Sequence, residues 1–233
     1  MLSYDTPVAA NRSTMTAKMD PLGPNPKPIN ATIVPVTSDK TIAKTNGDAA
    51  PKHHHIWLVT GPAGCGKTTV AKHVSNTLNL PYIEGDEFHP QANIDKMANG
   101  IPLTDADRWD WLTLLREESL RQLASGAEGV VLTCSALKRK YRDVIRVAPY
   151  YLHDVILHFI YLHAPEAVLL ERVGARQGHY MGANMVRSQF SILEPPTAEE
   201  TDVISIDVSG SPEEVQRQAL DEVVKKIDEA ASS

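Results

Sequence analysis

The stretch "WLVTGPAGCGKTTVAKHV" at residues 57–74 constrains the fold of this chain more than any other. An apolar, β-branched run leads into glycines, one lysine and two threonines, and a helical pattern follows at once. Gly61-Pro62-Ala63-Gly64-Cys65-Gly66-Lys67-Thr68 satisfies G-x-x-x-x-G-K-[ST], a loop whose backbone N–H groups turn inward around phosphate. Glycine lets such a backbone pass close to the phosphates, partly at positive φ. Lys67 is expected to reach the β- and γ-phosphates of ATP and Thr68 to offer an oxygen to Mg2+. Thr69 continues the helix N-terminus, whose positive end favours anions.

A loop of this kind needs a strand before it and a helix after it, and that order repeats from residue 56. Val70, Val74 and Leu78 form one stripe at helical spacing. "PYIEG" reads as a second strand. "TDADRWDWLTLLREESLRQLAS" reads as a long amphipathic helix with Thr104 as N-cap and Asp107 three residues on. "GVVLTCS" (129–135) and "VILHFIYLHA" (155–164) are nearly unbroken apolar runs, as parallel strands covered on both faces require. Pro165 opens a helix through Val173, and "DVISIDVS" is a fifth strand. Ser211-Pro212-Glu213-Glu214 caps a last helix that carries Val215, Leu220, Val223 and Ile227. The expectation is an α/β fold, a doubly wound open parallel five-stranded sheet flanked by helices.

The chain has 233 residues, 42% of them hydrophobic, enough for one such domain with a real core. Residues 1–52 hold seven of the sixteen prolines and one aromatic residue, Tyr4. They are expected to form a flexible tail, because they cannot bury enough surface to offset ordering entropy. The folded domain is then 53–233. A net charge of -6 argues against a broad nucleic-acid surface. No run of 18 apolar residues is present to span a membrane. Two cysteines, Cys65 and Cys134, suit a reducing compartment, so a cytoplasmic location is expected. His53, His54 and His55 sit side by side, but neighbours on a strand face opposite ways and do not converge on a metal.

A phosphate loop alone does not separate kinases from motors, switches or transporters. The segment "IEGDEFHP" is more informative. It puts Asp86 just past the second strand, on the side where doubly wound sheets bind ligands. A carboxylate there can accept or orient the proton of an attacking hydroxyl, or help to position Mg2+. Beyond it, Lys96, Arg108, Lys138, Arg139, Lys140, Arg142 and Arg146 crowd into an otherwise acidic chain. They suit an anionic substrate, with Lys140 and Arg146 read as solvated. Arg172 and Arg176 share a helix face at i, i+4 and can both reach toward a nucleotide. Gln177-Gly178-His179 then reads as a hinge into a lid over about 176–187, which would exclude water from the γ-phosphate.

Taken together, "GPAGCGKTT", "EGDEFHP", "NIDKMANGIPLTDADRW", "CSALKRKYRD", "ERVGARQGHYM" and "SQFSILEPP" resemble the P-loop gluconate kinase family, within the wider nucleoside-monophosphate-kinase and shikimate-kinase group. The resemblance runs in family order from residue 56 to 208. Gly85-Asp86-x-x-His89-Pro90 and Cys134-Ser135-Ala136-Leu137-Lys138-Arg139 are its most specific parts. It implies ATP-dependent phosphorylation of D-gluconate at its 6-hydroxyl, feeding the pentose phosphate route, with Mg2+, a closing lid and often a homodimer. It further implies that Arg172 stacks on adenine, that Arg176 touches phosphate and that Lys67, Asp86 and Arg176 serve catalysis. His89, Arg108, Lys138, Arg142 and His179 are candidates for the gluconate side. Asp110 stands where the family pattern has proline, and "GANMVRSQF" lacks the proline expected after the lid. A kinase for another small acid such as shikimate or another aldonate, a nucleoside-monophosphate kinase, and a silent ATP-binding module are the alternatives.

Overall fold

The computed structural model of the chain describes residues 53–175 and 183–232. The expected tail, 1–52, lies outside the described residues, as do 176–182, the first part of the expected lid. Five strands form one parallel sheet in the order β2-β3-β1-β4-β5: β1 (His54–Thr60), β2 (Tyr82–Ile83), β3 (Gly129–Thr133), β4 (Val155–His163) and β5 (Val203–Asp207). Seven α-helices are described with them: α1 (Lys67–Leu78), α2 (Gln91–Ala98), α3 (Trp109–Ala124), α4 (Arg139–Arg146), α5 (Glu166–Gly174), α6 (Ala183–Ile192) and α7 (Pro212–Ala231).

The alternation of β1 decides how the layers assemble. Ile56 and Leu58 face one way and pack in a cluster with Trp111, Leu112 and Leu115 of α3 and Tyr141 and Ile145 of α4. Trp57 and Val59 face the other way, into a cluster with Val70 and Val74 of α1 and Val215, Ala219 and Val223 of α7. Both faces of the sheet are therefore covered, which is why β3 is buried at every residue. Full burial of each Val, Leu or Ile contributes about 1.5–3 kcal/mol.

Because β1 pairs with β3 on one side and β4 on the other, the chain crosses to opposite sides of it. The resulting crevice opens at the C-terminal ends of the strands, beside the loop that follows β1.

The elements differ from sequence expectation mainly at their ends. Thr104 and Asp107 form the expected reciprocal cap, with Thr104 N donating to Asp107 Oδ2 at 2.8 Å and Asp107 N to Thr104 Oγ1 at 3.4 Å. A 3-10 turn at Ala106–Arg108 intervenes, so α3 begins only at Trp109. Ser211 and Glu214 make the capping box of α7 in full. Residues 183–187, the last part of the expected lid span, form the first turns of α6, and Val186 among them is fully buried. The histidines diverge. His54 lies 3.7 Å from Asp154, whereas His55 turns inward to His158 at 3.2 Å, and both buried imidazoles stack with Trp57.

The expectation that Arg142 meets the substrate is corrected by the fold. Its side chain is buried, and Nε and Nη2 each donate to Glu200 at 2.7 Å while Nη1 reaches the carbonyls of Ala136 and Glu194 at 3.2 Å. Burying a guanidinium demands such a carboxylate partner. Arg146 is not simply solvated either. It donates to Glu200, Asp202 and Asp143 and lies over the Phe159 ring. The hydrogen bond from Arg142, aided by that from Arg146, outweighs the effect of burial and holds the Glu200 carboxyl at about 2.

Glu200→Gln should therefore cost about 3–5 kcal/mol, since it strands the buried arginine. A depressed carboxyl stabilises the fold above its ordinary value of 4.5 and loses that contribution as pH falls toward 2. Denaturant titrations across pH 5 to 2 should show this acid slope in the native chain, and the variant should show a shallower one, with depressed carboxyls such as Asp105 and Asp107 supplying what remains.

Candidate active site

The loop after β1 is shaped by what surrounds it. Gly61 has φ 138°, and a Cβ there would stand 2.3 Å from the Leu162 carbonyl oxygen of β4, so no other residue fits without displacing the sheet. Gly66 then opens α1 with no side-chain cap, which leaves the first amides of the helix for a ligand. Lys67 Nζ lies back across its own loop, donating to the carbonyls of Gly61 at 3.0 Å and Pro62 at 3.1 Å. Cys65 turns its thiol into the core, so it can meet a nucleotide only through its backbone. Burial pushes that thiol up, and pushes Cys134 up to about 12, which leaves both neutral and poorly nucleophilic.

Thr68 points to a residue that sequence reasoning missed. Its Oγ1 donates to Glu84 Oε2 at 3.1 Å, and Glu84 also accepts from Thr133 Oγ1 at 2.5 Å and from the Tyr82 hydroxyl. Burial works to raise the Glu84 carboxyl, but the three hydroxyls and the Lys67 charge prevail and hold it below the usual range. No local pattern marks it, because Glu84 lies between the end of β2 and the 3-10 turn at Gly85–Phe88 and its hydroxyl partners Thr68 and Thr133 are distant in the chain. Thr68 Oγ1 and an ionised Glu84 are hard oxygen donors beside the phosphate loop, which fits Mg2+, an ion that takes one or two protein oxygens and completes its shell with phosphate and water. Asp86, expected beside Thr68 as a metal ligand, has no hydrogen bond to it; the Thr68 hydroxyl is given to Glu84.

Asp86 is delivered to the cleft by its neighbour. A Cβ on Gly85 would stand 1.9 Å from the Thr133 carbonyl oxygen, so the chain can leave β2 against β3 only with glycine there. Gly85 N donates to Thr133 Oγ1 at 3.1 Å, and its carbonyl accepts from Trp111 Nε1 at 2.7 Å. Asp86 follows, exposed, on the rim of a cleft of about 680 Å³ that Lys67, Thr68, Glu84, His89 and Arg108 also line. His89 stacks on Trp111 with ring centroids 4.0 Å apart. Asn93 Nδ2 donates to His89 Nδ1 at 3.4 Å and to the Asp107 carbonyl at 2.7 Å, so the proton of the neutral ring sits on Nε2. Arg108 is steered by the carbonyls of Leu103 at 2.5 Å and Thr104 at 3.0 Å, above the Tyr141 ring.

Of the other expected residues, Lys138 is not among those that line the cleft. It donates to Asp105 at 3.0 Å, and Lys140 and the Tyr141 hydroxyl bond the same carboxylate. Lys140 first, with Tyr141 and Lys138, holds Asp105 well below the usual carboxylate range. Arg172 reaches the carbonyls of Val208 at 2.5 Å and Gly210 at 3.2 Å, fastening α5 to the turn after β5 on the phosphate-loop side. Arg176 and His179 lie outside the described residues. Met185, Ser188 and Gln189 of α6 also line the cleft, and the sequence reading gave none of them a role in it.

Comparison with known proteins agrees with this arrangement. The family model described as an AAA domain matches residues 56–194. A probable gluconokinase of Schizosaccharomyces pombe is 47% identical over 190 residues, spanning 81% of this chain and 97% of its own length. The thermoresistant gluconokinase of Escherichia coli is 38% identical over 173 residues, 74% of this chain and 95% of its own. The crystal structure of a gluconokinase from Sinorhizobium meliloti superposes with a TM-score of 0.66 at 39% identity, covering 77% of this chain and 97% of that one.

The electrostatics of the cleft are testable through His89. Burial lowers its pKa from 6.5, Arg108 lowers it further, and Asp86 opposes both. In a histidine-ring NMR titration, its signal should move at a pH below 6.5, so the ring is neutral at pH 7. Asp86→Asn should lower that midpoint and Arg108→Gln should raise it.

Proposed function

The chain belongs to the gluconokinase family, and we propose that it transfers the γ-phosphoryl group of ATP to the 6-hydroxyl of D-gluconate, giving 6-phospho-D-gluconate and ADP. One observation carries this reading. A single cleft is lined on one wall by Lys67 and Thr68 and on the other by Asp86, His89 and Arg108, so donor and acceptor can meet without leaving the protein.

The chemistry follows from those positions. Nucleotide phosphates lie on the amides at the start of α1, and Lys67 exchanges its two loop carbonyls for the β- and γ-phosphate oxygens. Asp86 accepts the proton of the attacking hydroxyl as its oxygen bonds to the γ-phosphorus. The bond from that phosphorus to the β-γ bridging oxygen breaks, and ADP leaves with the electron pair. Thr68 and Glu84 would hold Mg2+, which would neutralise phosphate charge when bound; with Glu84 in the metal-side role, Asp86 is free to act on the hydroxyl. Arg108 pairs with the carboxylate of the sugar acid, neutral His89 donates from Nε2 to a hydroxyl, and Lys138, through Asp105, steadies the Tyr141 ring under Arg108. Arg172 borders the adenine side, and Arg176 and His179 keep the phosphate and substrate roles that the family resemblance implies.

A coupled ADP-release assay tests the whole reading. Turnover should depend on added D-gluconate, and shikimate, other aldonates and nucleoside monophosphates should support far less. ATP turnover indifferent to gluconate would sink the assignment. Lys67→Ala should lower kcat/KM by about 100-fold or more. Asp86→Asn should reduce kcat by about 100-fold or more with ATP affinity retained. Glu84→Gln should raise the magnesium concentration for half-maximal rate about tenfold.

A further inference from the structure

Helix α6 sends one polar side chain onto the phosphate loop. The Ala63 amide donates to Gln189 Oε1 at 2.6 Å, across 126 residues of sequence. An amide N–H only donates, so the Gln189 atom facing it must be oxygen, and the carboxamide nitrogen is the other end. Among the described residues nothing accepts from that Nε2, and Gln189 lines the same cleft as Lys67 and Asp86. The side chain is held on a rigid support. Val186, one turn earlier, is fully buried, and just beyond the helix Glu194 N donates to the Leu137 carbonyl while Glu194 Oε2 accepts from Arg139 N.

We infer that Gln189 is a positioning residue that reads the γ-phosphate: Oε1 fixes the Ala63 amide and Nε2 donates to a γ-phosphoryl oxygen of the bound nucleotide. The chemistry selects an amide. A carboxylate in its place would still accept from Ala63 but would repel phosphate, and a lysine would satisfy phosphate but set two donors against each other at Ala63. A carboxamide accepts from the loop and donates to the ligand at the same time. Its contact exists only with a triphosphate, so it distinguishes ATP from the ADP product. It also ties the phosphate loop, through α6 and Glu194, to the Leu137–Arg139 segment that follows β3.

This inference rests on the nucleotide reading of the loop, and calorimetric titration without sugar acid separates the two. The full chain is titrated with Mg2+ and either ADP or a non-hydrolysable ATP analogue. Wild type should bind both, and binding of neither would sink the nucleotide reading and take this inference with it. Gln189→Ala should weaken the ATP analogue about tenfold or more and ADP less than twofold. Gln189→Glu keeps the acceptor for Ala63 but repels phosphate, so it should weaken the ATP analogue at least as much as Gln189→Ala does, and more than it weakens ADP. Wild-type binding of both nucleotides combined with an unchanged ATP-to-ADP affinity ratio in both variants would overturn the assignment and leave Gln189 a loop brace only.

Discussion

One half-buried carboxylate, Glu84, holds the two halves of the cleft in register. It sits between β2 and Gly85 and gathers hydroxyls from three elements: Thr68 at the start of α1, Thr133 at the end of β3, and Tyr82 of β2. A carboxylate can satisfy all three because it only accepts. The phosphate loop and the turn carrying Asp86 are thereby fixed relative to one another. A phosphoryl transfer needs that fixity more than it needs covalent chemistry, since most of the barrier is lowered by positioning and charge.

A second charged cluster does comparable work on the acceptor side. The Arg142–Glu200 pair, with Arg146 bound to Glu200 and Asp202, joins α4 to the chain between α6 and β5. Arg142 also holds the carbonyl of Ala136, a non-glycine residue at φ 36°. Strain of that kind persists only where its surroundings over-determine it. The segment after β3 is thus braced from below by Arg142 and from the side by Glu194. Arg108 lines the cleft beside it, while Lys138 is held by Asp105.

Much of the fold was legible because it follows from period and punctuation. Buried parallel strands, the phosphate loop, the Ser211 cap and the Thr104–Asp107 cap all follow from short-range rules. Lys67, Thr68 and Asp86 were legible as cleft residues because the phosphate loop and the turn after β2 sit at strand ends, where this topology opens, whereas His89 and Arg108 were named through the family resemblance. Arg142 was misread because basic residues on one helix look alike in sequence. Only packing tells which of them turns inward, and its partner Glu200 lies 58 residues away. Glu84 was passed over for the same reason, since nothing local announces that Thr133 and Thr68 would converge on it. Gln189 carries no charge and belongs to no loop motif, so its contact with Ala63 exists only once α6 is folded against the phosphate loop.

The sequence by itself determined the α/β alternation, the location of the phosphate loop and the identity of the carboxylate after the second strand. Those depend on backbone conformation and side-chain period, which are read over a few residues. The tertiary structure decided which charges pair with each other and which remain for a ligand. Arg142 and Lys138 were claimed by Glu200 and Asp105, while Arg108 and Asp86 were left facing the cleft. That division is set by desolvation and by distances between segments far apart in the chain, and neither exists until the sheet brings them together.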